Sequence, residues 1–149
     1  MIIAIGADHG GFSYKEKIKE YFTDIKFVDV GAKKLDPKDD YTTFSFKVGE
    51  SVKENKADLG IMICRTGVGA VIALNKIKGI RAGVLESEEG VILARKKNNI
   101  NVLSFGADNI TEEEAIKIVK LFISTEFEGG RHKKRLEDIK KYEEQNFKK

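Results

Sequence analysis

The chain has 149 residues, 41% of them hydrophobic and 34% charged, with one proline and one cysteine. That is enough for one domain, residues 1–149, around a single core; a lone cysteine excludes an internal disulfide and fits a reducing, cytoplasmic setting. The apolar opening at residues 1–6 is too short for a signal peptide or a membrane span, because Asp8 and His9 follow at once. The net charge of +3 is unevenly placed: residues 131–149 carry eight Lys/Arg against four Asp/Glu, while the rest of the chain stands at −1. That basic segment interleaves Glu137, Asp138, Glu143 and Glu144 and has no aromatic stripe, so it reads as a solvated helix face and not as a nucleic-acid surface.

Apolar strand-like runs alternate with helical patterns from end to end. Residues 2–6 read as a strand and 14–22 as a helix with Ile18, Tyr21 and Phe22 inward. A second strand at 26–30 ends at Gly31, and a polar loop at 32–40 holds Pro37. A helix is predicted at 44–54 through Phe44, Val48 and Val52, then a fully apolar strand at 59–63 and a helix at 68–77. The pattern continues with a strand at 80–84, a helix at 87–97 capped by Ser87, and a strand at 102–105. Thr111 with Glu114 three residues on forms a capping box opening a helix at 111–124, and residues 131–147 form a last helix. Strand alternating with helix predicts an α/β fold: a Rossmann-like three-layer α/β/α sandwich with a five-stranded parallel sheet and a C-terminal helix. In such sheets ligands bind beyond the carboxyl ends of the strands, so those ends are the candidate site positions.

Three strand ends are chemically loaded. After 59–63 come Cys64, Arg65, Thr66, Gly67, Val68 and Gly69. A free cysteine commonly serves as a small apolar filler, but here a glycine turn and a helix start follow it. Gly67 and Gly69 let the backbone approach a ligand, Thr66 offers a hydroxyl, and a Cys64 thiolate can take a proton from carbon while nearby amides hold the resulting oxyanion. Arg65 favours the thiolate if it points inward; the sequence leaves its direction open. Asp8 and His9 end the first strand before Gly10-Gly11; either Asp8 or Ser13 caps the next helix, or the pair contacts a hydroxyl and a phosphate. Asp39, Asp40 and Tyr41 follow the second strand.

Further along, Asn99 fits a helix C-cap, while Asn98 is free to hydrogen-bond a hydroxyl-rich ligand. Arg131 and Arg135 are four apart on a helix and share a face, either as a phosphate clamp or as part of a solvated surface. Rival motifs fail. A cysteine-phosphatase loop needs arginine six residues after Cys64, where Ala70 stands. A dinucleotide fingerprint from Gly67 needs a small residue where Ile72 stands, and no P-loop lysine follows a glycine run.

Together these segments resemble the ribose-5-phosphate isomerase B / galactose-6-phosphate isomerase family. The pieces that match are Gly6-Ala7-Asp8-His9, Asp40-Tyr41, Ile63-Cys64 with Thr66-Gly67-Val68-Gly69, Asn75-Lys76 with Gly79-Ile80-Arg81, and Glu128-Gly129-Gly130-Arg131-His132 with Arg135. The resemblance implies an aldose–ketose isomerase of phosphorylated sugars that uses no metal or cofactor. Ribose 5-phosphate and ribulose 5-phosphate are the default pair; a six-carbon substrate (galactose 6-phosphate or allose 6-phosphate) and a catalytically weak sugar-phosphate-binding paralogue are the alternatives. By the same resemblance Cys64 is the base working through a cis-enediolate, steadied by Thr66 and the amides of Gly67, Val68 and Gly69. Asp8 assists ring opening, and His9, Arg131 and Arg135 hold the phosphate; Tyr41, Arg65 and Asn98 are further expected substrate contacts, Arg65 from its place beside Cys64 and not from the resemblance. In this family the arginines come from a neighbouring subunit, which implies a homodimer or a tetramer of dimers with a shared active site. The chain departs from its relatives in four places: Lys97 stands where a ring-opening histidine is usual, Arg65 where glycine is usual, Asp108 where many have a phosphate-side arginine, and Thr42 where many have proline. Lys97 is then the expected ring-opening group.

Overall fold

Alternating strand and helix requires parallel pairing with helical crossovers. The computed structural model, which describes residues 1–148, has that arrangement. Its elements are β1 (Ile2–Ala7), α1 (Phe12–Tyr21), β2 (Lys26–Asp29), α2 (Tyr41–Lys53), β3 (Leu59–Cys64), α3 (Val68–Leu74), β4 (Ala82–Val84), α4 (Glu88–Asn98), β5 (Val102–Gly106), α5 (Glu112–Ser124) and α6 (Arg131–Asn146). The five strands pair in parallel in the order β2-β1-β3-β5-β4.

Successive side chains of a strand face opposite sides, and the two layers follow from that period. Ile3, Ile5 and Ala7 of β1, Leu59, Ile61 and Ile63 of β3, and Leu103 and Phe105 of β5 pack with Ile18 of α1, Val91 of α4 and Ile118 and Phe122 of α5. The alternate residues Ala4, Met62, Cys64 and Val102 pack with Val48 and Val52 of α2 and Ala70 and Leu74 of α3. Each fully buried isoleucine or leucine contributes roughly 1.5–3 kcal/mol. The chain leaves β1 towards the α1 layer and β3 towards the α3 layer. The carboxyl ends of these neighbouring strands therefore flank a crevice, the switch point of a doubly wound sheet.

Local signals set several boundaries. Ser87 Oγ accepts from Gly90 N–H at 3.0 Å, Thr111 and Glu114 form the reciprocal capping box, and Asn99 ends α4 at φ 47°. Other expectations need correction. Tyr21 is 59% exposed, packing edge-on against Phe22 and not inward. α2 starts at Tyr41, a turn before the apolar pattern, with no side-chain cap from Asp40. α3 stops at Leu74 because the Asn75 amide pairs with the main chain of Ala82 through both its oxygen and its nitrogen, at 2.9 and 3.0 Å. Ile80, expected in β4, is buried within the turn that precedes it.

The loop from β2 to α2 is anchored by a buried cation that the helical pattern does not reveal. The Lys15 side chain is 1% exposed, and its Nζ donates to Asp29 Oδ2 and to the Ala32 carbonyl, both at 2.7 Å. Lys19 Nζ reaches the same Asp29 oxygen at 2.6 Å. Burial pushes the Asp29 carboxyl up, but the Lys15 and Lys19 hydrogen bonds outweigh it and hold the group below its ordinary value.

Candidate active site

Three loops meet at the carboxyl ends of β1, β2 and β3. Cys64, the last residue of β3, is buried, and its Sγ accepts from the Gly67 N–H at 3.1 Å. Gly67 is the N-cap of α3 at φ +82°, a backbone conformation that side chains with a Cβ rarely adopt. Val68 N–H points back to Thr66 Oγ1 at 3.4 Å. The turn thus sets one amide, that of Gly67, against the sulfur. Tyr41, at the start of α2, closes one side: a Cβ on Gly69 would lie 2.5 Å from its ring.

Asp8 and His9 follow β1. Asp8 is 5% exposed, and its Oδ1 accepts from the amides of Gly10 and Gly11 at 3.0 and 3.3 Å. It therefore ties down the turn into α1; the helix itself has Gly11 as its N-cap with no side-chain cap, so Asp8 is not the cap the sequence offered. Burial pushes its carboxyl pKa up, against the lowering effect of His9 and of those two amides. His9 is held from the β2–α2 loop: Asp39 Oδ1 accepts from its main-chain N–H at 2.9 Å and lies 2.8 Å from its ring Nδ1. The Asp39 hydrogen bond raises the His9 pKa against partial burial; Asp8 raises it further and Arg65 lowers it. Asp8, His9 and Asp39 bring potential ligand atoms within 4.8 Å of one another. The short His9–Asp39 contact already engages one ring nitrogen and one carboxylate oxygen of that group.

The direction of Arg65, left open by the sequence, is fixed by two neighbours. Its side chain runs beside Gly10, where a Cβ would stand 2.5 Å from Arg65 Cγ, and its Nε meets Asp108 Oδ2 at 3.2 Å. The guanidinium thus lies at the solvent-facing rim, 63% exposed, between the β1 and β5 ends. Sequence reasoning placed Asp39 in a loaded loop without finding its partner, and gave no role to Ser104 or Glu86. Ser104 Oγ donates to the Met62 carbonyl at 2.7 Å, bracing β5 against β3. Glu86 accepts from the Gly106 amide at 3.0 Å. A buried serine inside an apolar strand is the signal that marks the first of these.

Lys97, Asn98, Arg131 and Arg135 are not brought to Cys64 within one chain. Parallel register places Val102 level with Gly60 and Gly106 level with Cys64, so β5 begins about 13 Å below the sulfur. Lys97 and Asn98 end the helix that leads into that lower end. Arg131 starts α6 beside it, where the Glu128 amide donates to the Lys96 carbonyl at 3.1 Å. All four side chains are exposed. An apolar cavity of about 610 Å³ lies near these residues, between β4 and α6, lined in part by Leu85, Leu136, Ile139 and Asn98, and Cys64 is not among its walls.

A family model described as Ribose/Galactose Isomerase matches residues 3–139. A probable ribose-5-phosphate isomerase B of Mycoplasma genitalium is 44% identical over 146 residues, covering 96% of each chain. The ribose-5-phosphate isomerase B of Escherichia coli is 38% identical over 139 residues, covering 92% of this chain and 93% of that protein. Among solved structures, ribose-5-phosphate isomerase B from Mycoplasma genitalium with bound ribulose-5-phosphate superposes with a TM-score of 0.94 at 42% identity, covering 97% of both chains. The Clostridium thermocellum ribose-5-phosphate isomerase B superposes with a TM-score of 0.93 at 37% identity, covering 97% of this chain and 99% of that one.

Proposed function

This chain belongs to the Ribose/Galactose Isomerase family, and from that membership we propose that it interconverts ribose 5-phosphate and ribulose 5-phosphate with Cys64 as the base. It is an aldose–ketose isomerase. The observation that carries the assignment of the base is the Cys64 sulfur at the β1/β3 switch point, 3.1 Å from the Gly67 amide, in a turn that Gly67 takes at φ +82°.

The open-chain aldose lies with C1 and C2 over the sulfur. The thiolate removes the proton from C2, and the electron pair moves to form the C1–C2 double bond of a cis-enediolate. Thr66 and the amides of Gly67, Val68 and Gly69 hold the negative oxygen. The thiol returns a proton to C1 while the O2 hydroxyl proton passes to O1 and the C2 carbonyl forms, so no atom is gained or lost. Asp8, whose carboxyl pKa is raised by burial, passes protons during ring opening. His9 and Arg65 approach the phosphate from this chain. Lys97, Asn98, Arg131 and Arg135 reach the site from a second copy, since their own chain holds them at the far end of the sheet. Val68 and Ile72, four apart on α3 and 55% and 58% exposed, give that copy an apolar surface beside Cys64.

Isomerisation of ribose 5-phosphate in deuterium oxide tests the chemistry. Wild type should incorporate solvent deuterium at C1 of the ketose, and Cys64→Ala should bind the sugar phosphate without turning it over. Equal turnover by the two proteins would remove Cys64 from the role of base.

A further inference from the structure

We infer that Asp39 is a positioning residue for the isomerase reaction: its carboxylate grips both the amide and the ring of His9, so that the imidazole Nε2 faces the anionic group of the substrate. This rests on the reading above only in taking the ligand to be a phosphorylated sugar. Asp39 lies 30 residues from His9 in sequence, in the loop between β2 and α2, and its side chain is 10% exposed. One oxygen, Oδ1, accepts from His9 N–H at 2.9 Å and contacts Nδ1 at 2.8 Å. A carboxylate only accepts, so Nδ1 carries the proton and Nε2 is the nitrogen left for a ligand. The double grip fixes the loop, the rotamer and the tautomer together.

The second oxygen, Oδ2, is buried and has no hydrogen-bond partner among the described residues. A carboxylate so placed is costly without a positive neighbour, and a protonated imidazole supplies one. The charged groups that face His9 are Asp8 on its own turn, Asp39 from the β2–α2 loop and Arg65 from the β3–α3 loop. Asp39 has the largest effect and raises the His9 pKa; Asp8 adds to it, while burial and Arg65 oppose. The sign follows. Below the raised value Nε2–H donates to an anion; as pH rises through it the proton is lost and anion binding weakens. Without Asp39 that loss moves to lower pH.

The test is Asp39→Asn, with Asp39→Ser as a second variant that still offers an acceptor to the His9 amide. The His9 ring is followed by NMR, its signals assigned by their loss in His9→Gln. In both variants His9 should titrate at lower pH than in wild type. At a pH between the measured His9 midpoints of wild type and variant, KM for ribose 5-phosphate should rise several-fold while kcat changes less than about threefold. An unchanged His9 titration, or a fall in kcat with KM unaltered, would overturn the inference. Should wild type fail to isomerise ribose 5-phosphate, the functional reading falls by itself. Inorganic phosphate, titrated against the His9 signals, still decides for Asp39: weaker binding in both variants supports the inference, and equal binding overturns it.

Discussion

At the residue scale, neighbouring side chains around Cys64 have separable duties. Cys64 has the Gly67 amide on its sulfur and, among the described residues, no acidic or basic side chain hydrogen-bonded to it. Cys64→Ala should therefore lower kcat by about 10³-fold while leaving the affinity for ribose 5-phosphate within a few-fold, as isothermal titration would show. Arg65 is different: it sits at the rim and pairs with Asp108 through exposed groups. Such pairs contribute about 0–1 kcal/mol to folding, so Arg65→Ala should scarcely move the melting temperature, yet raise KM for a phosphorylated substrate several-fold. A large drop in melting temperature with unaltered KM would assign Arg65 to structure. Cys64 and the glycine turn were legible in the sequence because they are contiguous. The grip of Asp39 on His9 was not, since nothing local says which loop residue meets a histidine 30 positions away.

At the element scale, the loop that carries Asp39 depends on Lys15 and Asp29 for its place. Removing Lys15 leaves a largely buried carboxylate with Lys19 and the more distant, exposed Lys33 beside it. Lys15→Met should destabilise the fold by about 3 kcal/mol, read from urea midpoints. Because the Asp29 pKa is depressed in the folded state, its stabilisation is present above the ordinary carboxyl value and lost as pH falls through the depressed one. The variant should show a smaller loss of stability on acidification than wild type. Strands were readable from the sequence because β1, β3 and β5 alternate between two buried faces, and the capped helices α4 and α5 because Ser87, Thr111 and Asn99 act locally. The start of α2 was missed because Asp40 makes no side-chain cap and Tyr41-Thr42-Thr43 have modest helix propensity. The early end of α3 was missed because it is set by Asn75 reaching across to β4.

At the scale of the whole molecule, the sheet separates two groups of residues that the proposed site would unite. Cys64, the proposed base, stands at the carboxyl end of β3 beside that of β1; Lys97, Asn98, Arg131 and Arg135 stand at the other end. A helix start with two exposed arginines has a use there if it reaches into the crevice of a second copy, and the uncovered Val68 and Ile72 give that copy a surface to rest on. Ile72→Asp should then yield a monomer by light scattering, folded by circular dichroism and without isomerase activity. An active monomer would show that one chain holds a complete site. The most direct measurement is complementation. Cys64→Ala and Arg135→Ala proteins, each inactive, are mixed, dissociated and reassociated, and ribulose 5-phosphate formation is followed. Random pairing of two-fold related sites predicts recovery of about a quarter of wild-type activity, because half of the dimers regain one intact site. No recovery in a mixture shown to exchange subunits would contradict the account.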